Sequence, residues 1–214
     1  MNRLLVVCRR YNKSKPNQVG GVITSSENLL KFLDVRKAAY GYVDTNKMSY
    51  KNSVAAFFMI NYLIIKKIRK VNHVALNLNE RELYLIAPII AIFCKLFKVK
   101  YSVRVFGGNF DKLYCSSFPI KTILKFVINS SSVFFLQTRR LVSEFSHFNN
   151  VVHLPTCRYV NNIEPIKKNK NFKNRFVFIG QIKKEKGIDI ILEAFSNCLS
   201  ASIDLFGPLE DEYT

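Results

Sequence analysis

The sequence predicts an α/β protein with a doubly wound parallel sheet, followed by the beginning of a second unit of the same kind. Three observations predict it. Short apolar runs alternate with longer segments of helical periodicity. Glycine turns stand at the ends of several of those runs. A polar, basic stretch, NNIEPIKKNKNFKNR at residues 161 to 175, separates the long first part from a short second one.

The first strand is Arg3 to Cys8 (RLLVVC). After a polar loop, Val22, Leu29, Leu30 and Leu33 mark one face of a helix. A second helix is predicted across Val54 to Lys70, its basic end KKIRK suiting the C-terminal dipole. His73 to Asn79 reads as a strand, Glu80 to Lys98 as one mostly buried helix, and Tyr101 to Phe106 as a strand closed by Gly107-Gly108. Pro119 sits at a first helical turn, with Ile120, Ile123, Leu124, Val127 and Ile128 on one face. Short strands Val133 to Leu136 and Val151 to Leu154 flank a helix near residues 139 to 148. The second unit offers strand 176–180, helix 187–197 and strand Ser202 to Phe206. The predicted division is a first domain over 1–157, a basic linker over 158–175, and the start of a second domain over 176–214. One strand–helix–strand unit cannot cover both faces of its own sheet, so the second domain is expected to be incomplete.

Composition narrows the function. Half of the residues are hydrophobic (49%), which suffices for a packed core, and the net charge of +18 points to an anionic partner. Nucleic acid, acidic lipid and a phosphorylated small molecule all fit that charge, but the cations are dispersed and form no nucleic-acid motif. The five cysteines, Cys8, Cys94, Cys115, Cys157 and Cys198, are scattered, which excludes a disulfide framework and a zinc-ligand spacing. His73, His147 and His153 form no metal motif; no GxSxG elbow and no Asp-x-Asp pair occurs, so no metal is expected. The apolar run Leu4 to Cys8 is too short for a signal peptide. Leu83 to Cys94 is too short for a span, so a cytoplasmic protein is expected. The basic, amphipathic segment 119–129 has two readings: a core helix, or a helix laid on acidic lipid with its apolar face inserted.

Three glycine turns carry the candidate chemistry. QVGGVITSSENLL contains Gly20 and Gly21; IGQIKKEKGI contains Gly180, Gln181, Lys186 and Gly187; FGGNFD contains Gly107, Gly108, Asn109 and Asp111. Glycine admits a ligand close to the backbone, a helix N-terminus offers free N–H donors, and Lys186 supplies a point charge, so these turns suit a phosphate or diphosphate. Neither of the first two matches GxGxxG or GxxxxGK[ST]. Asn109 and Asp111 fit sugar hydroxyls, and Asp111 fits either a base or a turn-capping role.

Together these stretches resemble the retaining glycosyltransferases of family 4, the group 1 enzymes with a GT-B fold. FVFIGQIKKEKGIDIILEAF and ASIDLFGPLEDEY carry most of the resemblance; VGGVITSSENLLKFL, VRVFGGNF and VVHLPTC extend it over the chain. It implies transfer of a sugar from a nucleotide-sugar donor to a lipid-linked glycan acceptor in surface polysaccharide biosynthesis, with retention and without a cofactor. It implies a place on the inner face of the membrane. It puts Gly20, Gly21, Gly180, Gln181, Lys186 and Gly187 at the donor and Gly107, Gly108, Asn109 and Asp111 on the acceptor side. The sequence departs from the pattern in three places. Gln181 stands at the family's arginine, no histidine follows Phe106, and Pro155-Thr156-Cys157 replaces proline-asparagine-glycine. The family's two spaced glutamates would come after Thr214, so a chain truncated within the second domain and inactive alone is expected. The alternatives are a non-catalytic remnant, a half-protein that needs a separately encoded partner, or, third, a basic nucleic-acid-binding protein.

Overall fold

Five apolar residues, two of them β-branched, form β1 (Leu4–Cys8), which is buried on both faces as an interior parallel strand must be. The computed structural model describes residues 3–12, 14, 20–156, 174–198 and 200–209. The chain divides into two units, Met1–Asn161 and Asn162–Thr214. Most of the linker predicted over 158–175 lies outside the described residues.

The first unit is built on a six-stranded sheet. Its further strands are β2 (Tyr40–Asp44), β3 (His73–Asn79), β4 (Lys100–Phe106), β5 (Val133–Leu136) and β6 (Val151–His153), in the order β2-β1-β3-β4-β5-β6. Every pairing is parallel. Helix α1 (Gly21–Val35) packs through Leu30 on the face that carries Val6 and Cys8. The opposite face, with Leu5 and Val7, is covered by α2 (Ser53–Ile68), α3 (Glu80–Leu85), α4 (Ala87–Leu96) and α6 (Phe118–Ser130). The short helices α5 (Phe110–Tyr114) and α7 (Arg139–Glu144) complete the unit. Phe110, Tyr114, Phe134, Phe145 and Phe148 form one aromatic cluster there.

Two sequence expectations change, and a third is decided between its two readings. Edge strand β2 is an element that the apolar pattern did not mark. The helix expected over Glu80 to Lys98 is two helices, because Pro88 has no N–H to continue the ladder and instead occupies the first turn of α4. Residues 119–129 lie within α6, whose Leu124, Val127 and Ile128 are fully buried in the core. That apolar face is therefore spent on the sheet, and the core-helix reading holds.

The second unit, where described, contains β7 (Arg175–Ile179), α8 (Ile188–Ser196) and β8 (Ser202–Phe206), with β7 and β8 paired in parallel. Ile188 is buried, while Ile179 and Ile190 are 82% and 71% exposed. Cys8, Cys94, Cys115 and Cys198 are all free thiols. Burial pushes the Cys8 and Cys94 thiols up to about 12, so both are inert packing residues.

Candidate functional site

In a parallel α/β sheet every strand delivers its next residues to the same edge, and ligands gather there. In the first unit that edge is polar and cross-linked. Asp44 Oδ1, at the end of β2, accepts from the Arg10 amide (2.9 Å) and the Asn46 amide (2.8 Å), and Oδ2 accepts from Ser49 (2.8 Å). Arg10 reaches across to α1 and donates to both carboxylate oxygens of Glu27, at 2.7 and 3.1 Å, with its guanidinium 4.5 Å over the Tyr42 ring. Burial opposes the Glu27 charge. The hydrogen bonds from Arg10 and the Tyr11 amide outweigh it and hold that carboxyl below its usual range.

Next to this mesh a cavity of about 510 Å³ opens between the ends of β1, β2 and β3 and the starts of α2 and α3. Arg9, Lys47 and Arg81 give it positive charge; Val54, Phe57 and Ile60 of α2 and Leu85 give it an apolar wall. Glu82 lies on its floor, 4% exposed. Its carboxylate accepts from the Asn79 amide (3.2 Å), while Asn79 Oδ1 accepts from the Glu82 amide (3.0 Å), which closes a capping box at the start of α3. Burial raises the Glu82 pKa against the opposing pull of the Asn79 amide and Arg9. Arg9 Nε is buried with no hydrogen-bond partner among the described residues. None of these residues belongs to a sequence motif. The signal that was available is the N-x-x-E pattern at Asn79–Glu82, a helix start immediately after a strand.

The FGGNFD turn follows β4. Gly107 has φ +130°, and a Cβ there would stand 2.8 Å from Glu80 Oε1, so conformation and space both require glycine. Its amide donates to Gln137 Oε1 (3.2 Å), and Gln137 Nε2 donates to Thr156 Oγ1 (3.0 Å). Arg140 donates to the Gly108 carbonyl (3.2 Å), to Asp111 (3.1 Å) and to Glu144 (3.0 Å). The Arg140 hydrogen bond holds the Asp111 carboxyl below its usual range, which suits an ionised, anchored acceptor better than a base. Asn109 precedes α5 and makes no side-chain cap.

Gly20 and Gly21 stand at the start of α1, where among the described residues no side chain caps the helix and no acid occupies the first turn. A Cβ on either glycine would meet nothing within 4 Å. Among the described residues neither packing nor a positive φ explains these two glycines, and no described side chain caps the backbone N–H groups at this helix N-terminus.

The second unit places Gly180 and Gln181 just after β7. A single 3₁₀ turn over Lys184–Lys186 follows, and then Gly187, left-handed at φ +72°, leads into α8. Gln181 and Lys186 are exposed. Lys183 lies 3.8 Å from Glu185. Gly207, which follows β8, has φ +154°, and a Cβ there would overlap the Gly180 carbonyl. The turn that bears Gly180 is thus held by a glycine on the neighbouring strand. No group of acids, cysteines and histidines fit to hold a metal occurs among the described residues.

No family model and no curated protein sequence matches this chain. Solved structures do. HepE of Anabaena, in complex with UDP and glucose, superposes with a TM-score of 0.54 at 11% identity, over 98% of this chain and 62% of its own. UGT89C1 of Arabidopsis thaliana, complexed with UDP-L-rhamnose, gives a TM-score of 0.51 at 8% identity, over 97% of this chain and 70% of its own. Both neighbours are glycosyltransferases of the GT-B type, and the parallel-sheet α/β fold of this chain resembles theirs.

Proposed function

We propose that the chain serves glycosyl transfer from a nucleotide-sugar donor to a lipid-linked glycan acceptor in surface polysaccharide assembly, in the manner of the retaining family 4 enzymes. The observation that carries the reading is a GT-B likeness over nearly the whole chain to two proteins solved with UDP or a UDP-sugar. The arrangement of the glycine turns supports it further. Transfer breaks the bond between the sugar's anomeric carbon and the diphosphate, and a bond forms to an acceptor hydroxyl that gives up its proton. Negative charge grows on the departing diphosphate. Two candidate phosphate positions are assigned to that charge, each within its own unit: in the first, the start of α1 at Gly20 and Gly21, and in the second, Lys186 with Gly180, Gln181 and Gly187. Gly107, Gly108, Asn109 and the anchored Asp111 are assigned to acceptor hydroxyls. The cavity at Arg9, Lys47 and Arg81 joins them as the place for the acceptor's anionic and apolar parts.

Isothermal titration with UDP and a panel of UDP-sugars tests the donor assignment. Binding that weakens at least roughly tenfold in Lys186→Ala is expected, the loss of one charge-assisted contact. Absence of binding to any nucleotide or nucleotide sugar would sink it.

A further inference from the structure

Helices α2, α4 and α6 lie side by side over one face of the six-stranded sheet, and α4 packs against both of the others. Their inward residues form the core. Their outward residues are not those of an ordinary solvated surface. Phe58 and Tyr62 of α2 and Ile92 and Leu96 of α4 are large, apolar or aromatic, and 57–67% exposed. Phe118 at the start of α6 is 84% exposed. Helices α2 and α4 run the same way: Val54 at the start of α2 lines one cavity with Leu85, which ends α3 just before α4, and at their trailing ends the Arg69 guanidinium lies 4.5 Å from the Phe97 ring centroid.

The charge on this layer has one sign. No Asp or Glu occurs at residues 45–79, 83–110 or 112–143, the stretches that contain all three helices. Lys66, Arg69, Lys95, Lys98, Lys121 and Lys125 are exposed there. A water-facing helix commonly balances its lysines with acids one turn away; these helices balance them with nothing. Most acids of the unit are instead gathered at the carboxyl ends of the strands, at Asp44, Glu80, Glu82 and Asp111, and on α1, at Glu27 and Asp34; Glu144 ends α7.

We infer that the outward face of α2, α4 and α6 docks on an anionic lipid bilayer, with Phe58, Tyr62, Ile92 and Leu96 entering the headgroup boundary and the lysines pairing with lipid phosphates. Aliphatic residues at the centre of the patch fit a bilayer; a nucleic acid offers them nothing to bury against. The inference deepens the lipid-linked acceptor reading proposed above. Val54 of α2 belongs both to this layer and to the wall of the cavity at the strand ends, so docking would bring the mouth of that cavity to the lipid surface.

The test is co-sedimentation of the full chain with phosphatidylcholine vesicles, with and without phosphatidylglycerol, at low and high salt. Binding is expected only with the anionic lipid and is expected to fall with salt. Phe58→Ser with Ile92→Ser should lower partitioning roughly tenfold or more. Lys121→Glu with Lys125→Glu should lower it roughly fivefold or more per site. These side chains are exposed, and thermal melts establish that the variants are folded. Four results would overturn the inference: no sedimentation at low salt; sedimentation indifferent to both pairs; a dimer by light scattering that the Phe58/Ile92 pair dissolves while vesicles are ignored; or retention on single- or double-stranded DNA matching that on vesicles and unaffected by the apolar pair. UDP titration without vesicles reports the donor reading separately, so either can fail without the other.

Discussion

Replacing Gly21 with alanine should make the apo protein more stable and donor binding weaker. Gly21 is the first residue of α1, its φ is negative, and a Cβ would meet nothing within 4 Å. Alanine therefore costs no strain and gains helix propensity, about 0.5–1 kcal/mol. For a unit of this size that is a rise in Tm of roughly 1–4 °C. On the proposed donor assignment, the same Cβ would stand before the N–H groups at the start of α1, which no described side chain caps and which a diphosphate would approach. Loss of one hydrogen bond to a charged oxygen costs about 1.5–3 kcal/mol, or roughly 10- to 150-fold in affinity. Differential scanning fluorimetry reads the first effect and calorimetric titration with UDP the second. A variant that melts higher and binds UDP as before would show that Gly20-Gly21 only connects elements, and would refute the donor assignment at α1. A variant that melts lower would refute the packing argument itself.

Gly207→Ala should loosen the turn at Gly180: the left-handed strain of about 1–3 kcal/mol adds to the loss of the Gly180 N–H bond to the Phe206 carbonyl, 2.9 Å, worth about 1 kcal/mol. Hydrogen exchange should show the Gly180 and Ile182 amides losing protection while those of β3 and β4 keep theirs; unchanged protection would count against it. Glu82→Gln should remove a pH dependence. The Glu82 pKa is raised in the fold, so its contribution is full below the ordinary value of 4.5 and is lost as pH rises through the elevated one. Glutamine keeps an oxygen for the Asn79 amide and carries no charge. The variant should match the wild type in acid and exceed it in Tm at neutral pH; equal melting temperatures at both would contradict the buried-charge argument.

The sequence made β1, β3 and β4 legible because they lie at the centre of a parallel sheet. β1, LLVVC, reads as a continuous apolar run, while in β3 (HVALNLN) and β4 (KYSVRVF) buried apolar residues alternate with polar ones over much of the strand. β2 was not legible for the opposite reason. It is the edge strand YGYVD, of which only Val43 is buried, so burial left almost no mark on its composition. The cavity at the strand ends was hidden by topology. Arg9, Thr45 and Glu82 are far apart in the chain and meet because β3 pairs with β1 on the side opposite to β2. Local spacing encodes no such neighbourhood. The glycine turns were legible as positions, but their reasons differ. Gly107 and Gly187 are required by positive φ, whereas nothing among the described residues requires Gly20 and Gly21.

The same contrast separates α6 from α2. Periodicity marked α6 as amphipathic, and a clean apolar stripe can face a core or a bilayer equally well. The sheet claims it, as the burial of Leu124, Val127 and Ile128 establishes. In α2, SVAAFFMINYLIIKKI, the apolar residues run all the way round. Ile60, Ile64 and Ile68 face the core while Val54, Phe58, Met59 and Tyr62 face out. A helix with more apolar surface than its core can use carries the sequence signal of a second contact, and its uniform positive flank narrows the partner to an anionic one. Amphipathicity pointed to the helix whose face was already spent; the surplus of apolar residues on α2 points to the face that is still open.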